Sequence, residues 1–264
     1  MLSGEFAARY GSWAVVTGAS SGIGRALAEE LARRGVSVLA VARRRDRLES
    51  LRAQIVSSGT AECEYVVCDL ADPRFLEHLL PACAGKDIGL VACNAGVGAK
   101  GLHAQTPPEQ IARVVAVNCT AAALVARAFL PRLLKRGRGG LMITGSIEGY
   151  LGFPYSATYS ASKAFARSLG EAIWGETRSS GIDVLVLAPG ATDTEILDAQ
   201  GIARARLSGV MKPEAVAKAA LDHLGRGPHF VPGAHNKMMV AAMKVLPRRL
   251  AVRLAGRAMR SALE

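Results

Sequence analysis

The stretch Trp13-Ala14-Val15-Val16-Thr17-Gly18-Ala19-Ser20-Ser21-Gly22-Ile23-Gly24 decides the fold. A short apolar, β-branched run passes directly into a glycine loop, and the apolar spacing that follows is that of a helix. Gly18 permits the tight turn, Gly22 lets the backbone approach a pyrophosphate, and Gly24 allows close packing of a helix whose N-terminal amides face phosphate. Outward from this unit the same alternation continues. Further strands are expected at Val36–Val41, Glu64–Cys68, Ile88–Cys93, Leu141–Thr144, Asp183–Leu187 and His229–Val231. Helices are expected at Ile23–Arg34, Arg45–Ser57, Pro73–Cys83, Glu109–Lys135, Ala157–Ser179 and Pro213–Leu224. Repeated βαβ units with right-handed crossovers give an α/β fold, a Rossmann-like doubly wound parallel sheet of about seven strands with helices on both faces.

Composition agrees with that frame. The chain has 264 residues, half of them hydrophobic and only 5% aromatic, the balance of parallel strands covered by helices. Its five cysteines (Cys63, Cys68, Cys83, Cys93, Cys119) are odd in number and lack C-x-x-C pairing, so neither a disulfide framework nor a zinc site is indicated. Five scattered histidines show no metal spacing either. A reducing, cytoplasmic location is expected, and Met1–Trp13 carries Glu5 and Arg9 with no targeting pattern. The most membrane-like run, Ile111–Leu130, is interrupted by Arg113, Asn118 and Arg127, which favours a helix buried in protein.

Chemistry enters at Tyr159 and Lys163. Four residues apart on one helix, they share a face, and an ammonium beside a phenol favours the phenolate, bringing a group of pKa about 10 toward acid/base work. Upstream, about the end of the Leu141–Thr144 strand, stand two hydroxyls, Thr144 and Ser146, of which Thr144 fits the strand body better. After the second strand stands Val41-Ala42-Arg43-Arg44-Arg45. A carboxylate at this point accepts from ribose hydroxyls, whereas an arginine matches the 2′-phosphate of NADP. Ala42 replaces the acid, so NADP(H) is favoured over NAD(H).

These motifs, in this order, resemble the cofactor loop and catalytic tetrad of the short-chain dehydrogenase/reductase family over roughly residues 11–233, in its NADP(H)-preferring branch of hydroxysteroid dehydrogenases and ketoacyl reductases. The resemblance implies a catalytic set of Asn118, Ser146, Tyr159 and Lys163. It makes Tyr159 the proton donor during carbonyl reduction, Ser146, 13 residues before it, the hydroxyl that polarises the carbonyl, Lys163 the group that lowers the tyrosine pKa and holds the nicotinamide ribose, and Asn118 the support of a water relay. For the cofactor it implies Gly18, Ser20, Ser21, Gly22, Ile23 and Gly24 on the phosphates, with Arg43 and its helper Arg44 on the 2′-phosphate. Asp69 and Leu70 would meet adenine, and Asn94, Ala95 and Gly96 would line the cleft. Pro189, Gly190, Thr192 and Thr194 would stand at the nicotinamide end, beside Tyr159 and Lys163. The implied activity is hydride transfer between nicotinamide and a ketone or secondary alcohol. A non-catalytic, dinucleotide-sensing binding protein on the same fold is the alternative.

Substrate signals are weaker. Glu195–Met211, with Gly201 and Gly209, is expected to form a lid, and Tyr150, Leu151, Phe153, Pro154 and Tyr155 to make an apolar pocket for a steroid-like or acyl-chain substrate. Glu148 follows Ser146 where the family often has a small residue; it either selects a polar substrate group or faces solvent. Homodimers or homotetramers through Glu109–Lys135 and Ala157–Ser179 are common in the family. Beyond residue 233 the chain changes character, and 234–264 is expected to be a basic, amphipathic helical extension to the 1–233 cofactor-binding and catalytic domain. Its seven Lys/Arg and single Glu264 carry +6 of the net charge of +11. Arg249, Arg253, Arg257 and Arg260 fall within an arc of about 80° on a helical projection. Peripheral membrane contact through 245–264 and packing on the protein body both remain open. Nucleic acid is not expected, because no recognition motif accompanies the charge.

Overall fold

The computed structural model describes residues 3–264, so Met1 and Leu2 lie outside the described residues. Seven parallel strands form one sheet in the order β3-β2-β1-β4-β5-β6-β7. They are β1 Trp13–Thr17, β2 Ser37–Ala42, β3 Cys63–Val67, β4 Ile88–Cys93, β5 Gly139–Thr144, β6 Ile182–Leu187 and β7 His229–Phe230. In-register pairs such as Thr17 with Val41 and Thr144 with Leu187 keep the carboxyl ends of these strands aligned along one edge.

Alternation along each strand explains the two layers. Val15, Leu39, Val91, Leu141 and Val184 face one buried cluster with Phe75, Phe129 and Ile173. Ala14, Val16, Val38, Leu90 and Met142 face the other, with Leu27, Leu31, Leu51 and Val216. On the second face lie α2 Gly22–Arg33, α3 Arg45–Ser57 and α9 Pro213–His223; on the first lie α4 Phe75–Leu79, α6 Ala122–Arg136 and α7 Ala157–Thr177. Strand order reverses between β1 and β4, and a crevice at that switch point is where open α/β sheets take ligands.

Three elements differ from the sequence expectation. Helix α1, Ser3–Tyr10, precedes the first strand, and its Phe6 and Tyr10 are wholly buried one turn apart. The Tyr10 hydroxyl donates to Asp183 Oδ2 at 2.8 Å and so ties α1 to β6. The helix expected at Pro73–Cys83 shrinks to α4 because Pro81 starts a separate 3₁₀ turn. The long helix Glu109–Lys135 divides into α5 Pro108–Val115 and α6, joined by a π-helical stretch at Ala116–Ala121. The combined run 108–136 is long and apolar enough to cross a membrane, but Val125, Ala126, Phe129 and Leu133 are buried against the sheet.

The extension forms α10 Ala234–Val245 and α11 Arg248–Leu263, which lie on the body. Ala251 and Ala255 pack against Leu151 and Phe153, and Ala262 packs against Leu197 and Ile202 between β6 and α9. Packing on the protein body is therefore realised by the small side chains of α11. A boundary at residue 233 does not separate the extension from the cleft described next.

Candidate active site

At the β1–α2 junction Gly18 adopts φ +69° and Gly22 φ +55°, left-handed conformations that disfavour a side chain. A Cβ on Gly24 would lie 2.2 Å from the Gly18 carbonyl oxygen, so only glycine lets α2 start this close to the turn. Ser21 at the N-cap of α2 makes no side-chain capping bond, which leaves the helix N-terminus available to an anion. Arg44 lies across this loop: its guanidinium donates to Ser21 Oγ at 2.7 Å and Ser20 Oγ at 3.1 Å, and meets Glu195 Oε2 at 2.7 Å. Arg43 is exposed and lines the same rim. Asp69 holds Arg113 at 3.0 Å and accepts from the Ala71 amide; these contacts keep its carboxyl below the usual range despite partial burial. Asn94 joins three strands, since its Nδ2 donates to Thr17 O and its Oδ1 accepts from the Thr144 hydroxyl.

The other end of the cleft gathers Ser146, Tyr159, Lys163 and Asn118. Lys163 is buried on α7; its Nζ donates to the Thr144 carbonyl at 2.9 Å and sits 5.5 Å from the centre of the Tyr159 ring. Burial holds this ammonium down to a pKa of about 8. The phenol of Tyr159 moves the opposite way from the sequence expectation. Desolvation and the Glu148 carboxylate push it above its ordinary value, while a hydrogen bond with Ser146 pulls it down. The neighbouring ammonium does not prevail, because Lys163 points at a backbone carbonyl and shares the same desolvated setting. Ser146 Oγ also accepts from the Glu148 amide at 3.2 Å, which orients the hydroxyl.

Asn118 sits inside the π-helical stretch. Its Nδ2 donates to Val97 O and Ser162 Oγ, each at 2.9 Å, and its Oδ1 accepts from Val97 N. It therefore clasps the segment after β4 to α7. A Cβ on Gly96 would lie 3.3 Å from Lys163 Nζ and 3.5 Å from Asn118 Oδ1, so this glycine keeps the space between the two polar side chains narrow but open.

Glu148 neither faces solvent nor stands free for a substrate. Lys100, 2% exposed at the side chain, meets its two oxygens at 2.8 and 2.9 Å, and Ser156 bridges both partners. The Lys100 ammonium lies 4.8 Å from the Tyr159 ring centre. Nothing in the sequence signals Lys100: it is a single lysine in a glycine-rich segment, 48 positions before its partner.

The cleft joining these ends has a volume of about 520 Å³. Every residue expected at the cofactor lines it except Gly24, which acts beneath the loop. Of the five residues expected to make the apolar pocket, only Phe153 lines it. Leu151 packs under α11, Tyr150 lies between the cations of Arg167 and Lys244, and the Tyr155 hydroxyl accepts from Arg260. The remaining apolar wall comes from elsewhere: Ile202 and Leu207 in the lid segment, Met239 on α10 and Met259 on α11. The lid carries α8 Glu195–Ala199 and is fastened to α11 by Ala203 N to Ala262 O at 3.1 Å and Arg206 to Ser261 O at 2.9 Å. Thr194 reaches over the glycine loop, its methyl 2.8 Å from where a Cβ on Gly22 would stand.

Known proteins share this fold. The profile of the short chain dehydrogenase family matches residues 12–204. A 7beta-hydroxysteroid dehydrogenase of Clostridium sardiniense is 29% identical over 234 residues, 88% of this chain and 90% of that protein. A solved 7beta-hydroxysteroid dehydrogenase superposes with a TM-score of 0.88 at 26% identity, over 95% of this chain and 98% of its own. A short-chain dehydrogenase from Sphingobium yanoikuyae, solved with NADPH, superposes at 0.80 with 33% identity over 96% of both chains. With the parallel sheet, the glycine loop and the Tyr159–Lys163 helix converging on one cleft, the chain belongs to the short-chain dehydrogenase/reductase family of oxidoreductases.

Proposed function

We propose that this oxidoreductase is NADP(H)-dependent and moves a hydride between nicotinamide and a ketone or secondary alcohol on a hydrophobic, steroid-like or acyl-chain substrate. The observation that carries the reading is one cleft with phosphate-binding groups at one end and Ser146, Tyr159 and Lys163 at the other. Bound there, the dinucleotide supplies or accepts the hydride. The residues of the chain do the rest. Ser146 donates a hydrogen bond to the substrate oxygen, and Tyr159 gives that oxygen its proton in reduction or takes it back in oxidation. Lys163 adds positive charge where phenolate develops, and Asn118 holds the α7 face against the segment after β4. A phenol held above its ordinary pKa is protonated throughout the neutral range, which suits reduction. Phe153, Leu207, Met239 and Met259 give the substrate end its apolar character.

Arg43 and Arg44 are assigned to the 2′-phosphate. In the structure the Glu195 carboxylate takes one side of the Arg44 fork, and the phosphate would replace it there. Fluorescence titration of an Arg43→Ala, Arg44→Ala protein should show NADPH affinity lowered by about 10- to 100-fold, two charge-assisted contacts being lost, with NADH affinity nearly unchanged. Equal losses for both cofactors would remove the assignment.

We further place the enzyme in the cytoplasm as a homodimer or homotetramer in peripheral contact with anionic membrane. Its five thiols are unpaired. Val115, Leu124, Leu134 and Phe165 are exposed on the helices α5, α6 and α7 expected to meet a second copy. On α11 the buried side is Ala251, Ala255 and Ala262, whereas Leu250 and Leu254 are exposed next to the arc of Arg249, Arg253 and Arg257. Cosedimentation with phosphatidylserine vesicles should be salt-sensitive and should weaken by about 100-fold or more in Arg249→Glu, Arg253→Glu, Arg257→Glu protein. Equal binding to phosphatidylcholine vesicles would overturn the membrane contact.

A further inference from the structure

Lys100 and Glu148 carry a role beyond holding loops together. Each is charged, each is withdrawn from solvent, and both lie against the residue that moves the proton. The ammonium of Lys100 stands 4.8 Å from the Tyr159 ring centre, closer than Lys163 at 5.5 Å. The Glu148 carboxylate works in the other direction, opposing phenolate at Tyr159 and favouring the charged form of Lys163. Because Lys100 grips both Glu148 oxygens and Ser156 Oγ closes the triangle at 2.5 to 2.7 Å, neither charge can turn to solvent while the pair persists. The pair also joins three segments of the site: the stretch after β4, the serine turn and the start of α7.

We propose that Lys100 and Glu148 are positioning residues that together set the acid strength of the Tyr159 phenol, their opposite charges working against each other beside its ring. The proposal rests on the reading of Tyr159 as proton donor. Other ionisable groups around this part of the cleft are Lys163 on the same helix, Cys119 beside Lys163 on the π-helical stretch, Arg206 lining the cleft from the lid, and His103 against Thr158 at the start of α7. None of the four forms an ion pair with Lys100 or Glu148, although Glu148 also acts on Lys163 across space, so removing one partner leaves the charge of the other unpaired beside the ring.

The experiment uses the whole protein in three forms: Glu148→Gln, which keeps the side-chain shape and one accepting oxygen while removing the charge; Lys100→Met; and the double variant. Phenol ionisation is followed without turnover as the near-ultraviolet difference titration of each protein against its Tyr159→Phe counterpart. The pH profile of kcat/KM for a ketone panel is measured beside it. Glu148→Gln should lower the Tyr159 transition by about one pH unit or more and Lys100→Met should raise it by a similar amount. The double variant should return it near the starting value. Shifts of the same sign, or an unmoved transition with only a lower rate, would overturn the proposal and leave the pair as a scaffold. Should the spectroscopic shifts appear while the pH profile of the rate stays fixed, the proton-donor reading of Tyr159 fails, and the charge pair still stands as the determinant of its ionisation.

Discussion

Replacing Tyr159 by phenylalanine is expected to lower kcat for ketone reduction by about 10²- to 10⁴-fold, the contribution of a positioned proton donor, with NADPH affinity unchanged to within about twofold. The ring remains to fill the cleft and to receive the Lys100 and Lys163 cations, so the loss isolates the hydroxyl. The oxygen is the atom that Ser146 addresses by hydrogen bond. A ketone and alcohol panel with NADPH or NADP, weighted toward steroids and long acyl chains, supplies the assay. A variant that reduces its best ketone at the wild-type rate would sink the mechanism. Wild-type protein that binds NADPH tightly and turns over nothing on the panel would favour a dinucleotide sensor.

Replacing Lys163 by methionine should separate activity from stability. Lys163 is 4% exposed, and burial lowers its pKa from 10.5 to about 8. Folded protein therefore holds this proton less firmly than unfolded chain does. Below pH 8 both states carry the charge and folding bears the whole cost, about 3 kcal/mol for a shift of this size. Between about pH 8 and 10.5 the folded lysine releases its proton while the unfolded one keeps it, so the cost fades as pH rises. Methionine removes the charge and forfeits the charge-assisted bond to Thr144 O, a loss of about 2 kcal/mol. Near pH 7 the net gain is about 1 kcal/mol, a rise in Tm of roughly 3 °C for a chain of this length. Activity should fall by about 100-fold or more, since the phenolate loses its nearest helical cation. Thermal unfolding at a series of pH values checks the sign: the advantage of the variant must shrink from pH 8 upward. An inactive variant that is also less stable at pH 7 would show that the buried ammonium supports the fold.

Much of this was legible in the sequence because the determinants are local. Strand β4 and helix α3 have the expected limits, Ile88–Cys93 and Arg45–Ser57, since turn signals bound both. The glycine loop needs only backbone space, which glycine spacing encodes directly. Tyr159 and Lys163 share a helix, so four positions suffice to place them together. What escaped depends on partners far along the chain. Lys100 acquires meaning only when Glu148 and Ser156 close on it. Apolar residues near Ser146 were expected in the pocket, yet α11 covers Leu151, and the methionines that replace it come from a tail whose docking face is built of alanines. Gly256 shows why: a Cβ there would press Pro154 at 3.0 Å, so α11 approaches through its smallest side chains and leaves Leu250 and Leu254 outside. Helix α1 escaped because two aromatic residues one turn apart, Phe6 and Tyr10, are too short a pattern to distinguish from coil.

The π-helical turn at Ala116–Ala121 has a bearing on how the chain can change length. Such a turn holds one residue more than the α-helix around it, and each residue on a helix stands for about 100° of rotation. Deleting one residue here would turn the wide turn into an ordinary α turn and leave α5 and α6 in phase, while withdrawing Asn118 from Val97 and Ser162. In the regular helix on either side the same deletion would rotate everything beyond it by about 100°. The extra residue is accordingly absorbed where it stands, and an alignment gap drawn across this turn marks the loss of one inward-facing side chain, with the rest of the active-site wall unmoved.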